Sequence, residues 1–298
     1  MAYSDAHGVP RLRQVYDLVR YKLAHQDLFA DVKYRSFCRI RGALERAVGP
    51  LRGKKLLEVG CGQWQANLLL FSALGADVTG VDPEAPPASV WGFPAFALEA
   101  GLQRAAKTAV NEALFRSRFN GRLEELSGLS LRSVRPRAVR CGGEHLPAQA
   151  DSVDAVFSDD VFEHLADVES VTAEMTRVLK PGAPALILIH PFTAYSGGHH
   201  PATMDHGRGS SGAAVPPWDH LRGGLHPSGV FLNRLREREY RRILGAHLEI
   251  ESWERLGPEG EEHLTAEVLA ELGDFGREEL LVGKIVCLAR KRGARAGT

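Results

Sequence analysis

The sequence predicts an α/β protein in which a mainly parallel sheet of seven strands is covered by helices on both faces. Strand-length apolar runs alternate with segments of helical period. The runs are apolar almost throughout, not at every second residue, as strands buried on both faces are. A third observation is local: the first run ends in a turn with paired glycines, "LLEVGCGQWQ" at 56–65.

Taken in order, residues 11–48 place Leu12, Val15, Leu18 and Leu23, and then "FCRIRGALERAV", at helical spacing, so two amphipathic helices are expected before the first strand. "GPLRGKK" breaks that pattern and leads into "LLEVG", apolar except for Glu58. "ANLLLFSALGA" (66–76) reads as a short helix ended by Gly75, and "DVTGVD" (77–82) as a second strand. Residues 83–136 are then an insertion. Leu98, Leu102, Ala106, Val110, Leu114, Phe119 and Leu123 recur every three to five residues in it, so it should be largely helical.

Further strands are expected at "RAVRC" (137–141), "VDAVFS" (153–158) and "PALILIH" (184–190), with a helix at 168–180 between the last two. A long loop (191–227) precedes a helix at 230–247, a strand at 248–254, a short helix near 262–273 and a last strand at 281–289. The division is an N-terminal helical cap over 1–50 and a main domain over 51–298.

The totals exclude several classes. The chain has 298 residues, 44% apolar and 25% charged, as ordinary folded proteins have. Its 37 basic residues balance 37 acidic ones, so no overall field draws it to nucleic acid or an anionic membrane. The tail "ARKRGARAGT" reads as a solvated terminus. Four scattered cysteines point to a reducing compartment, and no apolar run is long enough for a bilayer, so a cytoplasmic location is expected. No repeat or low-complexity tract is present.

In an open parallel sheet, ligands lie outside the carboxyl ends of the strands, beside the reversal in strand order. The glycine turn belongs there. A dinucleotide fingerprint would need a third glycine where Gln65 stands, and Glu58 would repel a pyrophosphate by about 1 kcal/mol even at water's dielectric. A cationic ligand without phosphate fits better, because Glu58 then attracts an ammonium or sulfonium group. That chemistry points to S-adenosylmethionine. Asp82, 22 residues after Gly60, stands where a carboxylate accepts from ribose hydroxyls.

With these residues the sequence resembles the class I S-adenosylmethionine-dependent methyltransferases. "LLEVGCGQWQ" is similar to their first motif and "VTGVD" to the acidic end of their second strand. "CGGEHLPAQADSVDAVFSDDVFEHL" (141–165) is similar to the adenine-side and fourth-strand motifs, and "VLKPGAPALILIHP" (178–191) to the segment that follows. The likeness spans about residues 54–191, in order. It implies a Rossmann-like fold and a methyl-transferring enzyme. It also implies that Glu58, Gly60, Cys61 and Gly62 surround the methionine end and that Asp82, followed by Pro83, holds the ribose. Gly143 and Glu144 would lie beside the adenine, and Ser158 and Asp159 would close the pocket, Ser158 through its backbone carbonyl. Three departures stand out: Trp64 replaces a small residue, Gly142 stands where many members carry aspartate, and the insertion is long enough to form a substrate lid.

Methyl transfer to a hydroxyl benefits from a base. Seven of the 12 histidines lie between 164 and 226, five of them in the 191–227 loop, which is too long and glycine-rich for a plain connector and follows the fifth strand. The catalytic candidates are therefore His164, His199, His200 and His220, with Asp219 beside His220. His199, His200, Asp205 and His206 lie close enough in sequence to offer ligands to a divalent metal. Adjacent histidines point apart in extended chain and neither matches a zinc spacing, so no metal is assigned.

The expected activity is methyl transfer from S-adenosylmethionine to a hydroxyl, less readily an amine, of a small-molecule or sugar-containing acceptor. The alternatives are an RNA or protein methyltransferase, using Arg104, Lys107, Arg116, Arg118 and Arg122 of the insertion, and a cofactor-binding regulatory domain that moves no methyl. Neither a membrane nor nucleic acid is expected as a partner.

Overall fold

The computed structural model describes residues 12–87, 89–199, 215–223 and 231–293, of which 12–26, 90 and 103 are described as backbone. Seven strands form one sheet: β1 (Lys55–Val59), β2 (Asp77–Val81), β3 (Arg137–Val139), β4 (Ala155–Asp159), β5 (Pro184–Ile189), β6 (Glu249–Leu256) and β7 (Lys284–Arg290). Their order is β3-β2-β1-β4-β5-β7-β6. The first five strands run parallel, and β7 enters antiparallel between β5 and β6. The order reverses between β1 and β4, so the crevice for a ligand opens at the ends of those two strands.

Alternation along each central strand divides the core into two. Leu57, Val59, Val156, Ala185, Ile187 and Ile189 face α6 (Val168–Val178) and α7 (Glu237–His247) on one side. Leu56, Ala155, Phe157, Leu186 and Leu188 face α1 (Leu12–Val48) and α2 (Ala66–Ala73) on the other. Both faces are dry, which explains why these strands read as unbroken apolar runs.

The N-terminal segment is one helix of 37 residues, where the sequence suggested two. Ala30, Phe37, Ile40 and Leu44 are fully buried at helical spacing, so the apolar stripe continues across the expected break. The insertion is helical as expected, but as three pieces: α3 (Phe93–Ala100), α4 (Leu102–Leu114) and α5 (Arg116–Ser127). Gly101, at φ 88°, turns the chain between the first two. That turn breaks the stripe: Phe119 and Leu123 are buried, while Leu98 is 90% and Leu102 80% exposed.

Residues 231–236 lie outside α7, which begins seven residues later than expected. Asn233 explains the extended segment. Its amide N–H donates to the Glu163 carbonyl at 2.9 Å, its side-chain amide donates to the carbonyls of Phe162 (2.7 Å) and Leu165 (3.0 Å), and its oxygen accepts from Tyr240 Oη at 2.8 Å. The short helix expected near 262–273 is a 3-10 turn (Glu261–His263) followed by α8 (Ala266–Glu271), with α9 (Arg277–Leu280) leading to β7. A small third core forms there around Trp218, Leu264, Leu272 and Leu280. Trp218 donates from Nε1 to the Thr193 carbonyl at 3.1 Å, tying 215–223 to the segment that leaves β5.

Phe37 fixes α1 to the sheet: it is 2% exposed, with its ring centroid 4.8 Å from that of Phe71. Phe37→Ala should cost roughly 3–5 kcal/mol of unfolding free energy, seen in urea titration as a lower midpoint with an unchanged slope.

Candidate active site

β1 hands the chain to the glycine turn under tight control. The amides of Gly60 and Cys61 both donate to the Val81 carbonyl, at 2.8 and 3.1 Å, which draws the turn across the end of β2. Gly60 sits at φ 80°, and a Cβ there would lie 2.1 Å from the Val161 side chain. Only glycine satisfies both the conformation and the approach. Val161 follows β4, so this contact joins the two strand ends that flank the crevice.

Glu58 is 3% exposed. Asn67 Nδ2 donates to its Oε1 at 2.7 Å, while its Oε2 is buried without a hydrogen-bond partner. Burial pushes its pKa up to about 8. Lys33 reaches the same region from α1, with Nζ 3.5 Å from Asp159 Oδ2. Burial pulls the Lys33 pKa down, but Asp159, Asp160 and Glu58 more than offset that, and the net shift is upward. On the other side Lys284 of β7 pairs with Asp160 at 2.8 Å and lies 3.7 Å from Asp159. The carboxyl edge is thus an acidic cleft braced by two lysines.

Asp82 accepts from the Gly62 amide at 2.9 Å on one oxygen and from the Glu84 amide at 2.7 Å on the other. Each carboxylate oxygen keeps further acceptor capacity for ribose hydroxyls. Its pKa is raised by burial, against the lowering effect of the Gly62 amide. Pro83 continues the turn, exposed, and Cys61 is buried between the glycines, its thiol pushed up by burial.

After β3, Gly143 is buried and a Cβ there would meet Val171 at 2.9 Å. The Glu144 carboxylate curls back to within 2.1 Å of where a Cβ on Gly142 would begin, so an acid stands near the place of the missing aspartate side chain. Ser158 is fully buried and donates its hydroxyl to the Val59 carbonyl at 2.9 Å, bridging β1 and β4. Trp64 packs its ring on Phe119 (4.6 Å between centroids), Phe29 (5.5 Å) and the Arg116 guanidinium (5.6 Å). Arg116 also donates to the carbonyls of Gln63 (2.7 Å) and Trp64 (2.5 Å), which ties the insertion directly to the glycine turn.

The histidines gather beside this cleft. His164, in the turn after β4, places Nδ1 3.0 Å from the Phe231 carbonyl and Nε2 3.8 Å from Glu163 Oε1. His199 lies with its ring centroid 4.8 Å from that of His164 and 5.0 Å from that of His190, which ends β5 and contacts Ser196 Oγ at 2.8 Å. Burial holds the pKa of His190 and of His199 near 3 and lowers that of His164. His220 is turned to the Phe192 carbonyl, 2.9 Å from Nε2, and its ring bears on Gly198. His200, Asp205 and His206 lie outside the described residues.

Glu163 was missed by the sequence reading. It is fully buried, and desolvation raises its pKa well above the carboxylate range. In "FEHL" it reads as an ordinary charged neighbour of His164. Its burial comes from the segment around Asn233, some 70 residues away, and no local signal announces it.

Residues 103–187 match the model of the methyltransferase domain family. Among solved structures, an S-adenosylmethionine-dependent methyltransferase from Mesorhizobium loti is 16% identical, with 84% of this chain and 96% of that one covered and a TM-score of 0.46. The YcgJ protein of Bacillus subtilis is 15% identical over 88% and 100% of the two chains, with a TM-score of 0.47. The geranyl diphosphate C-methyltransferase of Streptomyces coelicolor, solved with Mg2+, geranyl diphosphate and S-adenosyl-L-homocysteine, is 16% identical over 85% and 77%, with a TM-score of 0.46. No curated protein matches the sequence.

The residues present fit the cofactor: Glu58 offers a buried, unpartnered oxygen to a cationic group, and the turn leaves no Cβ at Gly60. Asp82→Ala should weaken S-adenosylmethionine binding at least tenfold in calorimetry, through loss of a charge-assisted contact of about 1.5–3 kcal/mol. With Glu58 at about 8 in the free protein, a bound cation favours its ionised form and expels the proton. Affinity should therefore rise from pH 6 to pH 8 with proton release, measured in buffers of different ionisation enthalpy, and Glu58→Gln should abolish that release. Over residues 103–187 the chain is thus similar to the methyltransferase domain family, and the acidic cleft lies where its sheet reverses strand order, between β1 and β4.

Proposed function

We propose that the methyl group goes to a hydroxyl, less readily an amine, of a small-molecule or sugar-containing acceptor. One observation carries the reading: Glu163, His164, His190 and His199 converge at the carboxyl ends of β4 and β5, with Glu163 two residues beyond Val161, whose side chain faces the glycine turn. Bound S-adenosylmethionine supplies an activated methyl group, and the protein's part is to bring the acceptor oxygen within ~3 Å of it and to receive its proton.

The groups in the cluster suit different parts of that task. His190 and His199, near 3, stay neutral across the physiological range and orient a hydroxyl by accepting a hydrogen bond. Glu163 is the proton acceptor of the cluster, its basicity raised by burial.

Nothing comparable favours a nucleic-acid substrate. Arg104 pairs with Glu84, Arg116 with Glu112, Arg118 with Asp27 at 2.8 Å, and Arg122 with Asp31 at 2.8 Å and Glu125 at 2.7 Å. Lys107 is exposed, and its pKa is lowered by desolvation and by Arg104. A phosphate-tracking stripe needs several exposed, uncommitted cations, and the four arginines are committed within the fold.

The test is a metabolite panel incubated with protein and S-adenosylmethionine and read by mass spectrometry. Hydroxylated small molecules should gain one methyl group, with little change in rate between low and physiological salt. Methylation confined to RNA or protein, lost steeply as salt rises, would overturn the reading.

A further inference from the structure

We propose that Glu163, His164 and His199 form a binding site for one divalent transition-metal ion. Their ligand atoms all lie within 4.8 Å of one another. Two ligands on one ion at about 2.1 Å each are never more than ~4.2 Å apart, so closure around an ion needs a contraction of about 0.6 Å. His164 and Glu163, at 3.8 Å, already satisfy that limit.

Three further observations point to an ion. The first is the Glu163 carboxylate. It is fully buried, and neither oxygen makes a hydrogen bond of acceptable geometry, although the amides of Glu163 and His190 lie nearby. A buried carboxylate is unfavourable unless a cation meets it, and Lys284, whose charge acts on it, is already paired with Asp160 at 2.8 Å.

The second is the tautomer of His164. With Nδ1 3.0 Å from the Phe231 carbonyl, the proton belongs on Nδ1, and Nε2 turns its lone pair toward Glu163. Metal-binding histidines are held in this way, one nitrogen donating to a carbonyl and the other facing the ion.

The third is His199. Its Nε2 is buried without a partner, and its backbone sits at φ 54°, a strained conformation for a side chain of this size. The preceding Gly198 is packed so closely that a Cβ would lie 2.7 Å from the His220 ring. Loop and ring are thus held in place, and His190 stacks on the outer face of His199 at 5.0 Å.

The donor set selects the ion class. Two imidazoles and one carboxylate suit Zn2+, Mn2+, Fe2+, Co2+ or Ni2+ and disfavour Ca2+ and Mg2+, which prefer oxygen. Three protein ligands leave positions open to an exogenous oxygen. A role for the ion in lowering the pKa of the acceptor hydroxyl rests on the function proposed above; the existence of the site does not.

The test uses the full-length, tag-free protein after chelator treatment, titrated with Zn2+ in a calorimeter and with Co2+ in a spectrophotometer. One ion should bind per chain, visible Co2+ ligand-field bands should appear and be displaced by Zn2+, and the melting temperature should rise with ion concentration. His199→Ala and Glu163→Gln should each weaken binding at least a hundredfold. Should Glu163→Gln fail to fold, His199→Ala together with His164→Ala decides the matter. Absence of binding by the wild type, or binding that survives in the folded variants, would overturn the proposal. No acceptor or cofactor enters these measurements, so their failure is distinct from failure of the hydroxyl reading.

Discussion

Glu58 is the residue around which the rest of the molecule is arranged. A carboxylic acid on the central strand of a sheet covered on both faces lacks the water that would stabilise its charge, and desolvation dominates its behaviour. Asn67, the second residue of α2, satisfies one oxygen, and Lys33 lies close enough for its charge to act on the carboxyl. The first helix after the glycine turn and the long N-terminal helix therefore both contribute to one carboxyl group. The second oxygen is buried without a hydrogen-bond partner.

The same economy appears at the end of β4. Asp159 and Asp160 are braced from opposite sides, by Lys33 of α1 and by Lys284 of β7. These strands and helices come from the two ends of the chain, and the cleft exists only when both are docked. The charge cluster and the dry core are thus coupled: α1 can bring Lys33 to Asp159 only while Phe37, Ile40 and Leu44 remain buried against the sheet.

Much of this was legible in the sequence because it is written in local pattern. Apolar runs, the position of Gly60 and Gly62, and the spacing from Gly60 to Asp82 are set by neighbours within a few dozen residues. The single helix over 12–48 was read as two because its helical spacing was counted in two stretches, "LRQVYDLVRYKLA" and "FCRIRGALERAV", which the buried stripe joins. In the insertion, read as largely helical, Gly101 restarts the helical phase and leaves Leu98 and Leu102 exposed. Glu163 was invisible for a different reason. Its environment is made by His190 at the end of β5 and by the Phe231–Asn233 segment, and long-range packing leaves no trace in the four letters "FEHL".

The contact between Gly60 and Val161 gives this division a mechanical meaning. It sets the distance between the glycine turn and the turn that carries Glu163 and His164. A larger residue at 60 would push β4's end away from β1, and with it both of those side chains. The two turns therefore share one rigid joint at the reversal in strand order, where β1 and β4 are paired from Leu56 to Val59 and cannot separate without breaking the sheet. The loop after β5, the insertion after β2 and the segment before α7 are attached around that joint, and they supply His199, Arg116 and Asn233.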